Sequence, residues 1–245
     1  TGFIVFNEVT YPDLVNFFQL LNINYNDSNM SFSVSNIEPS IEYSSKNLFS
    51  LFTQPSNLFS IKYLKMIKEI YYLYKLCSSE KIQRNLSNIT LTSFLDKYNF
   101  SENIRKCHIY PMISSIWSSN QSDLINFPFI SFITFFKNHG LFKLRDRPRW
   151  KYVIGGSQQY INALTKLKLF KYYTNFAIKI IIRKENFVEI IDNKNKKLFF
   201  DKIVFATHAN EVLDLIEKPT KKEINILSKF LYTKNTAYLH NDKRF

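Results

Sequence analysis

Apolar residues along this chain follow two kinds of spacing, and the change from one to the other divides it. After Tyr11-Pro12-Asp13, the positions Leu14, Phe17, Phe18 and Leu21 recur at helical intervals, which predicts an amphipathic helix with proline near its first turn. Before it, "GFIVF" (2–6) reads as an apolar strand opened by glycine. After it, "NMSFSVSN" (29–36) alternates Met30, Phe32 and Val34 with polar residues, as a half-buried strand does. "IEYSS" and "NLFSLF" continue as short strand or loop pieces. From about Leu58 to Leu144 helical spacing dominates. Leu64, Ile67, Tyr71 and Tyr74 form one stripe, flanked by Lys62, Lys65, Lys68 and Lys75, and predict a core-facing helix with solvated lysines. Thr90 is placed to cap a helix bearing Leu91, Phe94, Leu95 and Tyr98. Two more helices run through "PMISSIWSS" and "FISFITFFKNHG", the second stopped by Gly140.

The pattern changes after "RDRPRW" (145–150). A strand "KYVI" leads through Gly155-Gly156 into a helix carrying Tyr160, Ile161, Leu164 and Leu167. "FAIKIIIR", "FVEII" and "LFF" predict three strands joined by polar turns. "KIVFATHANEVLDLI" (202–216) predicts a buried strand running into a helix, and a further helix starts near Thr220 before a last strand "TAYLH". Strands alternating with helices predict an α/β class, α+β overall, with a parallel sheet and a small antiparallel insertion.

Composition narrows the classes. Hydrophobic residues at 45% and aromatics at 17% exclude intrinsic disorder. A formal net charge of +13 raises a nucleic-acid or anionic-membrane partner. However, no Lys or Arg precedes Lys46, and the later lysines form no compact block or nucleic-acid motif. A solvated basic surface is the expectation, with no nucleic-acid partner and peripheral membrane contact left open. Cys77 and Cys107 lack paired spacing and point to a reducing, cytoplasmic setting; the four histidines show no metal-binding pattern. Arg145, Arg147 and Arg149 are placed to face a phosphate or a carboxylate, or solvent alone. Only four glycines occur, and two of them are adjacent at 155–156, where a strand meets a helix. A pair there serves a tight turn, a close ligand, or both.

The order "TGFIVFN…YPDLVNFFQLLNI", a helical stretch, then "VIGGSQQYINAL…FAIKIIIR…FFDKIVFATHANEVLDLI" resembles the FAD-dependent amine oxidase and phytoene desaturase-like superfamily. "SFSVS", "IWSS", "NHGL", "RPRW" and "LHND" resemble its bacterial amine-oxidase-like FAD-dependent oxidoreductases. The resemblance implies a partial FAD/NAD(P)-binding Rossmann-like domain with an inserted, mainly helical substrate domain. Residues 1–25 and 146–216 would belong to the FAD domain, 26–145 to the substrate domain, and 217–245 to the start of a second substrate-domain segment. It implies FAD near Gly2, Phe3 and Ile4, at Gly155 and Gly156, at Ile178 through backbone, and at Ala206, Thr207 and His208. Met30, Phe32 and Trp117 are candidates to line a substrate cavity, and equally candidates for plain core.

The implied reaction is hydride transfer from a hydrophobic small molecule to flavin, which asks little of side chains beyond orientation and water exclusion. No acid–base dyad stands out, so no catalytic residue is assigned. The superfamily's GxGxxG unit is missing from this sequence. The expectation is therefore the middle portion of a longer protein, inactive by itself. The alternative from another class is a non-catalytic basic protein that binds an anionic membrane or nucleic acid.

Overall fold

The computed structural model describes residues 3–36, 40–79, 89–143, 146–232, 234, 236, 238 and 241. They form two units, Thr1–Lys168 with Asn235–Phe245, and Leu169–Lys234.

In the first unit, β1 (Phe6–Asn7), α1 (Pro12–Leu20) and β2 (Tyr25–Ser28) are followed by a hairpin of β3 (Ser33–Asn36) and β4 (Ile41–Ser44). Helices α2 (Ile61–Ser78), α3 (Leu91–Lys97), the single turn α4 (Glu102–Ile104), α5 (Tyr110–Trp117) and α6 (Phe129–Asn138) come next. Strand β5 (Trp150–Val153) and α7 (Gln158–Lys166) close the unit.

The sheet order is β1-β5-β2, and β5 runs antiparallel to both neighbours. Two strands antiparallel to a shared middle strand are parallel to each other. So β1 and β2 run parallel on either side of β5, but no two named strands pair in parallel among the described residues, against the parallel sheet expected; the strand after α1 is Tyr25–Ser28, and of the predicted strand 29–36 only Ser33–Asn36 forms. Phe6, Val15, Phe18 and Val153 form the core beneath this sheet. The predicted 2–6 strand shrinks to Phe6–Asn7, because Ile4 is 85% exposed and has no ladder to join. Asn7 turns the chain into α1 by accepting, at Oδ1, the amide of Thr10 at 2.8 Å.

The helices share one aromatic-rich core around Phe94, Phe129, Phe132 and Phe136. Thr90 caps α3 as expected, its hydroxyl accepting the Ser93 amide at 3.1 Å. Thr90→Ala should cost about 1 kcal/mol in denaturant unfolding and Thr90→Ser only a few tenths. Gly140, at φ +64°, ends α6; a Cβ there would meet the Pro148 ring at 2.7 Å. The stripe on α2 needs correcting. Tyr63, Met66, Leu73, Tyr74 and Cys77 are buried, whereas Leu64 and Tyr71 are 43% and 56% exposed. The buried face is centred one step round from the predicted stripe, of which Tyr74 and the partly buried Ile67 still pack on the core. No described helix is long and apolar enough to cross a membrane.

In the second unit, β6 (Ile178–Arg183), β7 (Val188–Asp192) and β8 (Lys197–Phe200) form the expected antiparallel meander, followed by α8 (Ala209–Leu215) and α9 (Lys221–Leu227). Residues 202–206 are not the predicted buried strand. Ile203 and Phe205 pack on the Ile181/Val188/Ile190 core while Val204 is 90% exposed, so the alternation persists without a ladder partner. The outer edge of β6 is met instead by residues after α8, with Glu217 donating its amide to the Ile181 carbonyl at 3.0 Å. The predicted strand "TAYLH" falls largely outside the described residues.

Candidate functional site

Strand β5 ends in a turn in which the Gly156 amide donates to the Val153 carbonyl at 3.0 Å. Gly155 and Gly156 have φ of +77° and +80°, a region that side-chain-bearing residues enter only with strain. At Gly155 a Cβ would come within 2.7 Å of Gln159 Nε2; at Gly156 it would meet nothing within 4 Å. Gly156 therefore opens onto a hollow of about 450 Å³, whose opposite wall is Phe3, Ile4 and Val5. Ser157 Oγ donates to the Phe3 carbonyl at 3.4 Å across the hollow's end, and the Phe3 ring stacks on Tyr160 at 6.1 Å. Four of the candidate cofactor residues, Phe3, Ile4, Gly155 and Gly156, thus line one hollow. Apolar walls with backbone polar groups at the rim suit the edge of a planar ring.

Gly2 lies outside the described residues. Ile178, Ala206, Thr207 and His208 belong to the second unit. Ile178 packs on the meander core. Ala206, Thr207 and His208 are exposed ahead of α8, and the His208 ring stacks on Tyr232 at 4.4 Å.

Ser28, at the rim of that hollow, also lines a second one of about 270 Å³, with Met30, Lys46 and Arg147. Ser45, Lys46 and Arg147 in turn line a third cavity of about 660 Å³. Its walls are Leu48, Leu51, Ile67, Ile70 and Tyr71, and its polar floor is Tyr43, Tyr74 and His108. Neighbouring spaces share lining residues, Ser28 between the first two and Ser45, Lys46 and Arg147 between the last two, all in the first unit. The substrate candidates do not gather there. Met30 lines the middle hollow, and Phe32 packs edge-on to His108 at 6.1 Å. Trp117 lines a shallow depression with Phe135 and His139, and of these only His139 also lines the middle hollow.

The floor of the large cavity is a group that local sequence spacing did not reveal. His108 sits in a π-helical turn, Arg105–Ile109, that leads into α5; such turns re-aim side chains. Tyr43 donates its hydroxyl proton to the Cys107 carbonyl at 2.9 Å, so its oxygen is left to accept His108 Nδ1–H at 2.8 Å. Nε2 then accepts from the Tyr74 hydroxyl at 3.2 Å. The imidazole is held neutral in one tautomer. Burial, reinforced by nearby Arg147, pushes its pKa down to about 4. Burial also drives the Tyr74 phenol up to about 12 and raises Tyr43 further. The floor is therefore uncharged across the physiological range.

His139 plays a structural part. Nδ1 donates to the Phe135 carbonyl at 2.8 Å, Nε2 accepts from Tyr11 at 2.9 Å, and the ring stacks on Trp150. It ties the residue capping α1 to α6 and β5 and lines the middle hollow.

The chain superimposes on a single-substitution variant of putrescine oxidase with a TM-score of 0.61 at 11% identity, over 93% of this chain and 51% of that one. It also superimposes on cyclohexylamine oxidase from Brevibacterium oxydans (TM-score 0.60, 16% identity, 93% and 51% covered). A third match is a fatty acid isomerase from P. acnes that produces CLA (TM-score 0.52, 13% identity, 94% and 52% covered). The chain spans about half the length of these structures. No protein-family model and no curated protein matches the sequence.

Proposed function

We propose that this chain supplies the substrate side, and part of the cofactor side, of an FAD-dependent oxidoreductase that takes hydride from a hydrophobic small molecule. The observation that carries the reading is the convergence of Phe3 and Ile4 with Gly155 and Gly156 on one hollow, in the same unit as the 660 Å³ cavity with its apolar walls. In this reading 1–25 and 146–216 are pieces of a Rossmann-like cofactor domain, 26–145 is the substrate domain, and 217–245 begins its second segment. The backbones of Phe3–Val5 and Gly155–Ser157 would border the flavin ring. Gly2 and, in the second unit, the Ile178 backbone, Ala206, Thr207 and His208 are the other cofactor candidates that the resemblance implies. When bound, FAD supplies the hydride acceptor. The chain's own part is to orient the substrate and exclude water with the walls of the cavity. A neutral, hydrogen-bonded floor of Tyr43, Tyr74 and His108 suits this, since it neither donates nor withdraws a proton near neutral pH.

The protein isolated from the cell that makes it should carry the visible absorbance of bound flavin. Removing the flavin and adding FAD back should restore the absorbance and quench flavin fluorescence. A colourless protein that takes up no added FAD would overturn the reading.

A further inference from the structure

The 660 Å³ cavity has a polarity that none of its apolar walls explains. Its volume lies within the roughly 300–1,000 Å³ range of small-molecule sites. Ile67, Ile70 and Leu51 make one side apolar. At the end shared with the middle hollow stand Lys46 and Arg147; no Asp or Glu lines the 660 Å³ cavity, and Asp27, which lines the middle hollow, is paired with Lys151 at 2.9 Å and Arg149 at 3.8 Å. Among the described residues neither cation has an ion-pair partner. Arg147 uses only Nε internally, on the Lys143 carbonyl, so its terminal nitrogens keep the planar fork that matches a carboxylate. With a neutral floor, the net field inside the cavity is positive, and apolar walls of low polarisability focus it.

We propose that this cavity binds a single-chain amphiphile with a carboxylate head, the tail among Ile67, Ile70 and Leu51 and the head between Lys46 and Arg147. Two cations disfavour the protonated head of an alkylamine at the same place. The inference rests on the preceding reading for calling this ligand a substrate; binding itself requires no cofactor.

The test is calorimetric titration of the whole protein with decanoate, decanol and decylamine, each below its aggregation concentration. Decanoate should bind at least tenfold more tightly than decanol, with decylamine weakest. Shortening the tail should weaken binding about fourfold per methylene. Lys46→Gln with Arg147→Gln should lose at least tenfold for decanoate while leaving decanol unchanged. Retained decanol binding shows that the cavity is still folded. Leu48→Asp, at a wall residue 79% exposed, should weaken both ligands. Decylamine binding as tight as decanoate would overturn the inference, as would a double variant that binds decanoate like the parent, or a protein that binds none of the three. Flavin uptake without amphiphile binding sinks this inference alone. Amphiphile binding without flavin sinks only the preceding reading.

Discussion

Phe129→Ala should destabilise the first unit by about 3–5 kcal/mol, the cost of emptying a large aromatic site in a closed core. Phe129 is fully buried at the start of α6, its ring stacked on Phe94 with centroids 3.7 Å apart and near Phe132 at 5.9 Å. Its amide donates to the Ile89 carbonyl at 3.0 Å, which pins the backbone and limits collapse around the void. Both tryptophans of the chain, Trp117 and Trp150, lie in the first unit, so denaturant unfolding followed by their fluorescence reports on that unit. Phe49→Ala, at a side chain 90% exposed, should change the same midpoint by less than about 0.5 kcal/mol. A Phe129 loss below about 1 kcal/mol would show that the aromatic layer is not what holds the helices together.

The second large effect is acid destabilisation through His108. Its pKa falls from 6.5 to about 4 on folding, because burial disfavours the charged ring and Arg147 adds to that. Above pH 6.5 both states are neutral and nothing changes. Between 6.5 and 4 the unfolded chain takes up a proton that the folded chain refuses, so stability falls with falling pH; below 4 both are protonated and the loss levels off. The full loss is about 3 kcal/mol, at 1.36 kcal/mol per pH unit. Urea midpoints at pH 7, 5.5 and 4 should show it, and His108→Gln should flatten the slope in that window. Glu223 is held down to about 2 by the Arg183 guanidinium and the Thr220 cap, so its loss runs from 4.5 toward 2 and meets the His108 window only at its acid end, leaving the step from pH 7 to 5.5 to His108. An unchanged slope in His108→Gln would place the acid sensitivity elsewhere.

What could be read from the sequence was local. The Thr90 cap, the end of α6 at Gly140, the Gly155-Gly156 turn and the β6-β7-β8 meander each depend on neighbours a few residues away. The stripe Leu64, Ile67, Tyr71 and Tyr74 was real but assigned to the wrong surroundings. Three of its four residues line the large cavity, and the core takes the next face round. Periodicity identifies an apolar face and says nothing of what fills the space opposite. Residues 202–206 have the alternation of a strand, but a ladder also needs a free partner edge. The His108 site was out of reach because Tyr43 and Tyr74 are separated from it by 65 and 34 residues. Of the cofactor candidates, Phe3, Ile4, Gly155 and Gly156 converge because β5 returns to β1, a pairing of register that no local signal encodes.

That return has a kinetic side. Ser28 pairs with Trp150, so the middle strand of the sheet arrives only after residues 29–149 have been laid down. Until then Phe6 and Phe18 lack Val153, and β1 and β2 face a gap. Closing so long a loop costs entropy before any contact repays it, whereas β6-β7-β8 is built from neighbouring segments. During synthesis the N-terminal strands therefore wait, holding open edges that a second chain could fill. The walls of the Gly155-Gly156 hollow, drawn from both ends of the first unit, are among its last parts to be completed.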